Sequence, residues 1–476
     1  MRPRWRDDAT KSLPLSVGKR VMRWWALVQP WLLRAYPIRS AAVIMAAAFA
    51  LSAGLGMVRQ ILLGATFGDG SEIAAYYAAA RLPETLINLV AGGALVAALV
   101  PLLVELPDRT AQQRLLNVIA SVTMVGVAVT TVVGILATDW FVRVVLMPAA
   151  DPALQARTTT LTRILLFQPL LLALASIIGA LLTVERRFAL IALAYVSHNM
   201  TILLGIGAAW YWPAIGIYGP TIGLLMAAVL KVGIVWLGLH WLNGSLRWQW
   251  DAHHPMLRRA LWLAAPTALS VTVNYAGSII DTSFATRIGV TTVAAIYSAW
   301  LLADMPVRLI GSAIGQAAFP QFAHAIATRD LVTARRTFVR VAVIAVLLTL
   351  PVILVLLVAG RAGIALILER GAFDQAAGDR TFAVLQWYIL GLPAFVLTEL
   401  SSRMLNAMHD THTPLATNVT QLSVKWAVLN GWGLGWGIVA VPIAHVATCY
   451  GETALLLGMV WRRLHQLRNE CKQTPK

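Results

Sequence analysis

About twelve apolar stretches run through this chain, each near the roughly 20 residues that cross a bilayer as a helix, with short polar connections between them. A backbone in hydrocarbon must satisfy its own hydrogen bonds, so such a chain folds as an all-α, polytopic bundle. Any site for a polar ligand has to lie inside that bundle. The spans are expected near 41–63, 78–104, 116–138, 160–182, 189–210, 219–242, 258–280, 293–317, 338–359, 382–403, 414–433 and 436–461.

The charges alternate with the spans. Before the first span stand Arg2, Arg4, Arg6, Lys11, Lys19, Arg20, Arg23, Arg34 and Arg39 against Asp7 and Asp8. Every second loop is then basic: Arg109 and Arg114; Arg186 and Arg187; Arg247, Arg258 and Arg259; Arg329, Arg335, Arg336 and Arg340. By the positive-inside rule these loops and both termini are expected in the cytoplasm, which places the chain in the cytoplasmic (inner) membrane as a multi-pass protein. The formal charge of +17 is thereby accounted for and does not argue for nucleic acid. Val17, Val21, Trp24, Val28 and Trp31 recur at helical spacing with Lys19, Arg20 and Arg23 on the other side. They read as a helix lying on anionic membrane lipids, with a disordered basic tail as the alternative. No short apolar region with a small-residue cleavage site precedes the first span, which is therefore expected to be an uncleaved anchor. Cys449 in the last span and Cys471 in the tail imply no disulfide framework.

The polar passage from Asn243 to Pro255 divides the spans into two sets of six. The expected organisation is a basic tail with an interfacial helix at 1–40, an N-terminal lobe at 41–242, a linker at 243–257, a C-terminal lobe at 258–461 and a basic tail at 462–476. Arg81-Leu82-Pro83-Glu84-Thr85-Leu86-Ile87 in the second span is similar to Asp304-Met305-Pro306-Val307-Arg308-Leu309-Ile310 in the eighth. Each run leads through Gly and Ala to a proline, Pro101 or Pro320. Lobes with an even number of spans have the same orientation, and parallel repeats of this kind rock about a central cavity in transporters.

Leu55-Gly56-Met57-Val58-Arg59, Thr66-Phe67-Gly68, Ala80-Arg81-Leu82-Pro83, Gly93-Ala94 and Val100-Pro101 appear in that order. Ala265-Pro266, Asp281, Ala285, Met305-Pro306, Phe319-Pro320, Glu369-Arg370-Gly371-Ala372-Phe373 and Asp410-Thr411-His412-Thr413-Pro414 follow. The series, over residues 41–461, resembles the MurJ/MviN lipid II flippases of the multidrug, oligosaccharidyl-lipid and polysaccharide exporter superfamily. The resemblance implies a V-shaped pair of six-helix lobes that carries an undecaprenyl-pyrophosphate glycolipid across the membrane by alternating access. The cargo it implies is lipid II for peptidoglycan synthesis, with cell-wall synthesis proteins as partners. It also implies two further C-terminal helices forming a lipid-tail groove, and the twelve spans expected here do not include them. Three family cavity arginines align with Ala53, with Ile87 or Asn88, and with Leu301, while two family acidic positions align with Ala74 and Gly92. Arg59 is the family cavity cation that this chain retains.

A lipid-linked pyrophosphate needs cations at membrane depth, because guanidinium binds phosphate oxygens bidentately where an unscreened anion is costly. The candidates for substrate binding are Arg59, Arg81 and Arg308, with a structural interface role as the alternative for Arg59 at the end of the first span. Arg81 has the alternative of anchoring its helix at the headgroups. Arg308 lies two helical turns after Leu301 and either restores a cavity cation there or pairs with Asp304. Asp281 matches an acidic position that helps form a cation site in sodium-coupled members of the resembled family. Lys425, mid-span, is the candidate to pair with it and to put a fixed ammonium in place of the ion, so coupling to sodium or to membrane potential stays open. Lys231 reads as snorkelling or paired, and Glu399 with Arg403 as an i, i+4 ion pair.

Other chemistry is weakly signalled. No cofactor is expected, and the His409/His412 spacing matches an ordinary turn rather than a metal site. No phosphate-binding glycine loop and no hydrolase constellation are found in the sequence, so the chain reads as a secondary transporter rather than an enzyme. Trp140, Trp210, Trp212, Trp241 and Trp432 fall near span ends, as interfacial belts do. The alternatives are an exporter of another lipid-linked polysaccharide intermediate or of a drug, a non-transporting scaffold with the same fold, and, remotely, a membrane glycosyltransferase.

Overall fold

The computed structural model describes residues 32–90, 94–106, 108–251 and 253–473. Within them the chain is helical, without strands. The interfacial helix expected over 17–31 and the aligned position Gly92 lie outside the described residues. The N-terminal half consists of α1 (Ile38–Phe67), α2 (Ser71–Val90), α3 (Ala94–Glu105), α4 (Arg109–Trp140), α5 (Pro152–Leu165), α6 (Gln168–Val184), α7 (Phe188–Tyr211) and α8 (Tyr218–Trp241). The C-terminal half consists of α9 (Pro255–Ile288), α10 (Val290–Pro306), α11 (Ala313–Ala327), α12 (Leu331–Ile367), α13 (Gln375–Leu390), α14 (Leu392–Ala407), α15 (His412–Val428) and α16 (Ala440–Gln473).

Eight helical stretches among the described residues are long and apolar enough to cross a membrane. Two bent pairs, one within α9 at 44° and one between α13 and α14 at 48°, raise the number to ten. The stretch His412–Asn469 is one of the eight, yet it folds back on itself. Thr417 bonds Glu452 and Gln421 bonds Thr448, which sets α15 antiparallel to α16. With α2 and α3 on either side of residues 91–93, helices stand at each of the expected span positions. Several run past the apolar segment, as α2 does by starting at Ser71 rather than near 78.

The helix ends define two faces. On the terminal face lie Ile38, the turns after α3, α6, α8, α11 and α14, and the end of α16. Four of those turns stop their helices with one device: Arg186, Asn243, Arg329 and His409 adopt positive φ of 55–61°. The next residue's N–H then closes on a carbonyl five residues back, as in Arg187 N to Leu182 O at 2.8 Å and Asp410 N to Leu405 O at 2.9 Å. The turns after α6 and α14, six spans apart, are thus built alike. Asp330 and Asp410 start the next helices by accepting from the Thr333 and Thr413 N–H groups, each at 3.0 Å. On the opposite face Trp140, Trp210, Trp212 and Trp432 are exposed at helix ends, where a belt is expected.

The apolar cores show how the halves meet. Toward the opposite face one continuous core joins both halves, from Leu63, Tyr77 and Leu146 to Ile296, Leu385 and Tyr388. Toward the terminal face the core divides in two. Leu102, Ile119, Leu182 and Leu239 belong to an N-terminal cluster, Phe322, Phe338, Met404 and Leu456 to a C-terminal one. The α9 helix reaches across, through Leu257 in the N-terminal cluster and a small contact of Ala264 and Ala268 with Ala98. The core is thus a V, shared by the halves at the opposite face and divided toward the terminal face, where the Arg259–Glu105 pair at 2.7 Å still ties α9 to α3.

Candidate functional site between the two halves

The closed end of the V is built from polar and aromatic pairs between the halves. Gln60 of α1 donates to the Tyr77 hydroxyl at 2.7 Å and to Ser298 Oγ of α10 at 3.4 Å. Tyr77 stacks on Tyr297 with ring centroids 3.8 Å apart and planes inclined by 14°. Nearer the surface Arg380 pairs with Asp69 at 2.6 Å, and the Ala372 N–H donates to the Ala65 carbonyl at 2.8 Å. That last contact depends on Gly371, whose φ is +58° and where a Cβ would stand 2.3 Å from the Ala65 oxygen.

Below this closure the charged residues sort by partner. Arg81 is only 14% exposed, pairs with Glu84 at 3.3 Å and lies 4.9 Å over the Tyr297 ring. It stands ten residues inside α2, about 15 Å from the helix end, and three residues past the expected start of the span at 78. Arg308 is 73% exposed and held by Asp304, so the local pair is formed. The expected register with Leu301 assumed a continuous α-helix. After Pro306 the chain takes wider π-type turns over Val307–Ser312, beginning one residue before Arg308. Tyr275 of α9 stands between the halves, hydrogen-bonded to Asn88 and electrostatically close to Glu84 on one side and to Asp304 and Arg308 on the other.

Arg59 is different. Its Nη1 donates to Asn199 Oδ1 at 2.9 Å, and Asn199 in turn donates to the Ser52 carbonyl at 2.8 Å. Ser52, Gly56 and Arg59 share the face of α1 that meets Asn199 of α7. Arg59 is therefore positioned by neutral groups and forms no direct ion pair among the described residues, with Glu84 acting on it at longer range. Sequence reasoning found Arg59 and missed Asn199, Tyr297 and Glu84. Their signal was present in the i, i+4, i+7 spacing of Ser52, Gly56 and Arg59 and in an acidic residue three places after Arg81.

In the C-terminal half Lys425 Nζ lies 2.9 Å from Asp281 Oδ1 and 3.4 Å from the Gly277 carbonyl, with the lysine side chain 2% exposed. The pair expected from sequence is formed. A polar seam runs on from it between α15 and α16 through the Gln421–Thr448 bond of 2.9 Å and the Thr417–Glu452 bond of 3.3 Å. Trp300, Tyr388 and Phe395 cluster around His445 beside this seam. Glu399 and Arg403 pair at 2.6 Å, as their spacing predicts. Asp281 meets a sodium ion poorly: the ammonium already holds its carboxylate and faces the nearby carbonyl, and a second cation there would be repelled.

Comparison with known proteins gives this arrangement its context. The sequence profile of the family described as Lipid II flippase MurJ matches residues 63–472. This chain belongs to that family. A probable lipid II flippase MurJ of Rhizobium meliloti (strain 1021) is 27% identical over 417 residues, covering 86% of this chain and 78% of the relative. A solved structure described as lipid II flippase MurJ in an inward closed conformation superposes with a TM-score of 0.75 at 19% identity, covering 89% of this chain and 90% of that one. An inward-facing multidrug resistance MATE family transporter gives a TM-score of 0.73 at 14% identity, covering 88% and 96%. The two solved structures fix the fold, and the family match makes the chain a membrane flippase relative rather than a catalytic enzyme.

Proposed function

We propose that this chain is a secondary transporter that moves lipid II, an undecaprenyl-pyrophosphate-linked sugar precursor, across the cytoplasmic membrane by alternating access. The family match carries the cargo, and the V with its shared core at one end supports the mechanism. The terminal face, with its basic loops, is cytoplasmic in this reading, so the molecule is poised to load from inside. The pyrophosphate enters the parted side and meets Arg59, whose guanidinium has N–H groups to spare and whose nearby carboxylate, Glu84, is already bonded to Arg81. Arg81 and Arg308 are held by Glu84 and Asp304. They join the substrate only where phosphate oxygens replace those carboxylates, which ties their release to occupancy. Separation of the Tyr77–Tyr297 and Asp69–Arg380 pairs then opens the other end.

The cation site of the C-terminal half works differently in this chain. The Lys425 ammonium is a built-in cation, and transport proceeds without sodium, leaving membrane potential as the drive. Replacing sodium by choline is expected to leave both thermal stability and flipping unchanged; stabilisation by sodium in the millimolar range would remove this part of the reading.

The deciding experiment is complementation of cells depleted of their own lipid II flippase, with an accessibility assay for outward-facing lipid II. Rescue by the wild-type chain and failure of an equally expressed Arg59→Ala variant is the expected result. Correct insertion without any outward lipid II would overturn the cargo assignment.

A further inference from the structure

Six basic residues on the spans around the V invite comparison. Arg81, Arg308, Arg403 and Lys425 each have a carboxylate partner. Arg59 and Lys231 do not: Arg59 has the Asn199 amide, and Lys231 has the Tyr195 ring, with its ammonium 5.1 Å from the ring centroid. An ammonium at membrane depth without a counter-ion is expensive, and cation–π contact recovers only about 0.5–2 kcal/mol of that cost.

Snorkelling does not relieve it. Lys231 is ten residues from the end of α8 at Trp241, about 15 Å of helix, which exceeds the reach of a lysine side chain. The depth is fixed by packing: α7 and α8 cross at Gly205 and Gly219, where a Cβ on either would come 2.4–2.5 Å from the other's carbonyl oxygen. This crossing sets Lys231 beside Tyr195 and His198. The charges that act on His198 are those of Arg59 and Lys231. Arg59, at Asn199, and Lys231, at Tyr195, thus gather along one stretch of α7 around His198. Glu84 of α2 acts on Arg59, and no carboxylate among the described residues pairs with Lys231. Tyr195 is itself fixed, its ring meeting Phe49 edge-on at 5.0 Å and its carbonyl accepting from Ser52 at 3.3 Å.

We propose that Lys231, His198 and Arg59 form an anion subsite that takes the diphosphate of a polyprenyl diphosphate. The proposal deepens the flippase reading and rests on it for the choice of ligand. It also names cations of this chain that offset the family arginines absent at Ala53, at Ile87 or Asn88, and at Leu301. Arg59 binds one phosphate through its free N–H groups, Lys231 neutralises the other, and His198 donates between them.

The test uses purified full-length chain in nanodiscs and farnesyl diphosphate as probe, with farnesol as the chain-only control. Lys231→Met and Lys231→Gln are expected to weaken farnesyl diphosphate binding by about tenfold or more, the scale of a lost charge-assisted contact, and to leave farnesol binding unchanged. Lys231→Arg is expected to retain binding. A lysine kept for packing predicts the opposite of what is expected for stability: here Lys231→Met raises the melting temperature, since it removes a buried charge. Equal binding by wild type and both neutral variants would overturn the subsite while leaving the flippase reading intact. Lys231-dependent diphosphate binding in a wild-type chain that moves no lipid II would sink the cargo assignment and keep the subsite.

Discussion

At the scale of single residues, what decides a charge's role is the partner it already has. The Asp281–Lys425 pair bridges α9 to α15 in a nearly dry setting, where the loss of one member strands the other. Lys425→Met or Asp281→Asn alone should therefore destabilise the protein by about 3–5 kcal/mol, and the double replacement should recover most of that loss. Thermal unfolding in detergent across the four proteins checks it; additive losses would mean that the two groups do not act as a pair. Asp410 tests the same logic outside the membrane. Burial pushes its carboxyl up, but the Thr413 N–H and hydroxyl and the Arg463 guanidinium outweigh it, so the group sits below its ordinary value. A depressed carboxylate stabilises the fold above its unfolded value, near pH 4, and that contribution disappears as pH falls through the lower folded value. Asp410→Asn should therefore lower the melting temperature at pH 7, and the gap to wild type should narrow below pH 4. These pairs were partly legible in the sequence. Lys425 announces itself as a lone mid-span lysine in need of a partner, but it is the family resemblance that points to Asp281; the Arg308–Asp304 pair follows from i, i+4 spacing, whereas nothing in the residues announces that the helix widens at Val307.

At the scale of elements, apolar length is easy to read and the interruptions are not. Span positions follow from hydrocarbon thickness, so helices stand at all the expected places. The 48° bend between α13 and α14, and the π-type turns at Phe141–Leu146, Val307–Ser312 and Leu429–Gly433, depend on packing between helices that a single segment does not encode. The repeat between spans two and eight is visible in structure as a shared device. Arg81–Glu84 and Asp304–Arg308 are short-range ion pairs beside Pro83 and Pro306, with acid and base exchanged between the halves. The contact of α1 with the turn after α12 hangs on two glycines at positive φ, Gly68 against the Ala372 carbonyl and Gly371 against that of Ala65. Gly371→Ala puts a side chain into left-handed backbone, at about 1–2 kcal/mol, and against the Ala65 carbonyl. It should shift the molecule toward opening at the opposite face by about fivefold to thirtyfold. Spin labels at positions 69 and 380 read this directly: a distance distribution identical to that of the glycine protein would show that the turn does not govern closure.

At the scale of the whole molecule, the conformation is the part that no residue pattern discloses. The same apolar spans are buried whether the V parts at one end or the other, so sequence specifies the two lobes and leaves the choice between states to contacts of a few kcal/mol. Here most of those contacts sit at one end: the shared core, the stacked tyrosines, the Asp69–Arg380 pair and the Ala372–Ala65 hydrogen bond, with the Arg259–Glu105 pair of α9 and α3 as the tie at the other. Since a rocking transporter must break all of them once per cycle, fixing any one should stop transport without harming the fold. Cysteines at 77 and 297, joined by a short thiol-specific bridge, hold the halves at the place where the rings now stack 3.8 Å apart. The bridged protein is expected to bind farnesyl diphosphate from the basic, terminal side and to deliver no lipid II, with flipping restored when the bridge is cleaved. Vesicles of known orientation distinguish the outcomes, because only the terminal face should admit the probe while the bridge is in place. Flipping that survives the bridge would mean the substrate crosses without the two halves parting at this end, and the rocking mechanism would have to be abandoned for one in which the lipid passes along the outside of the V.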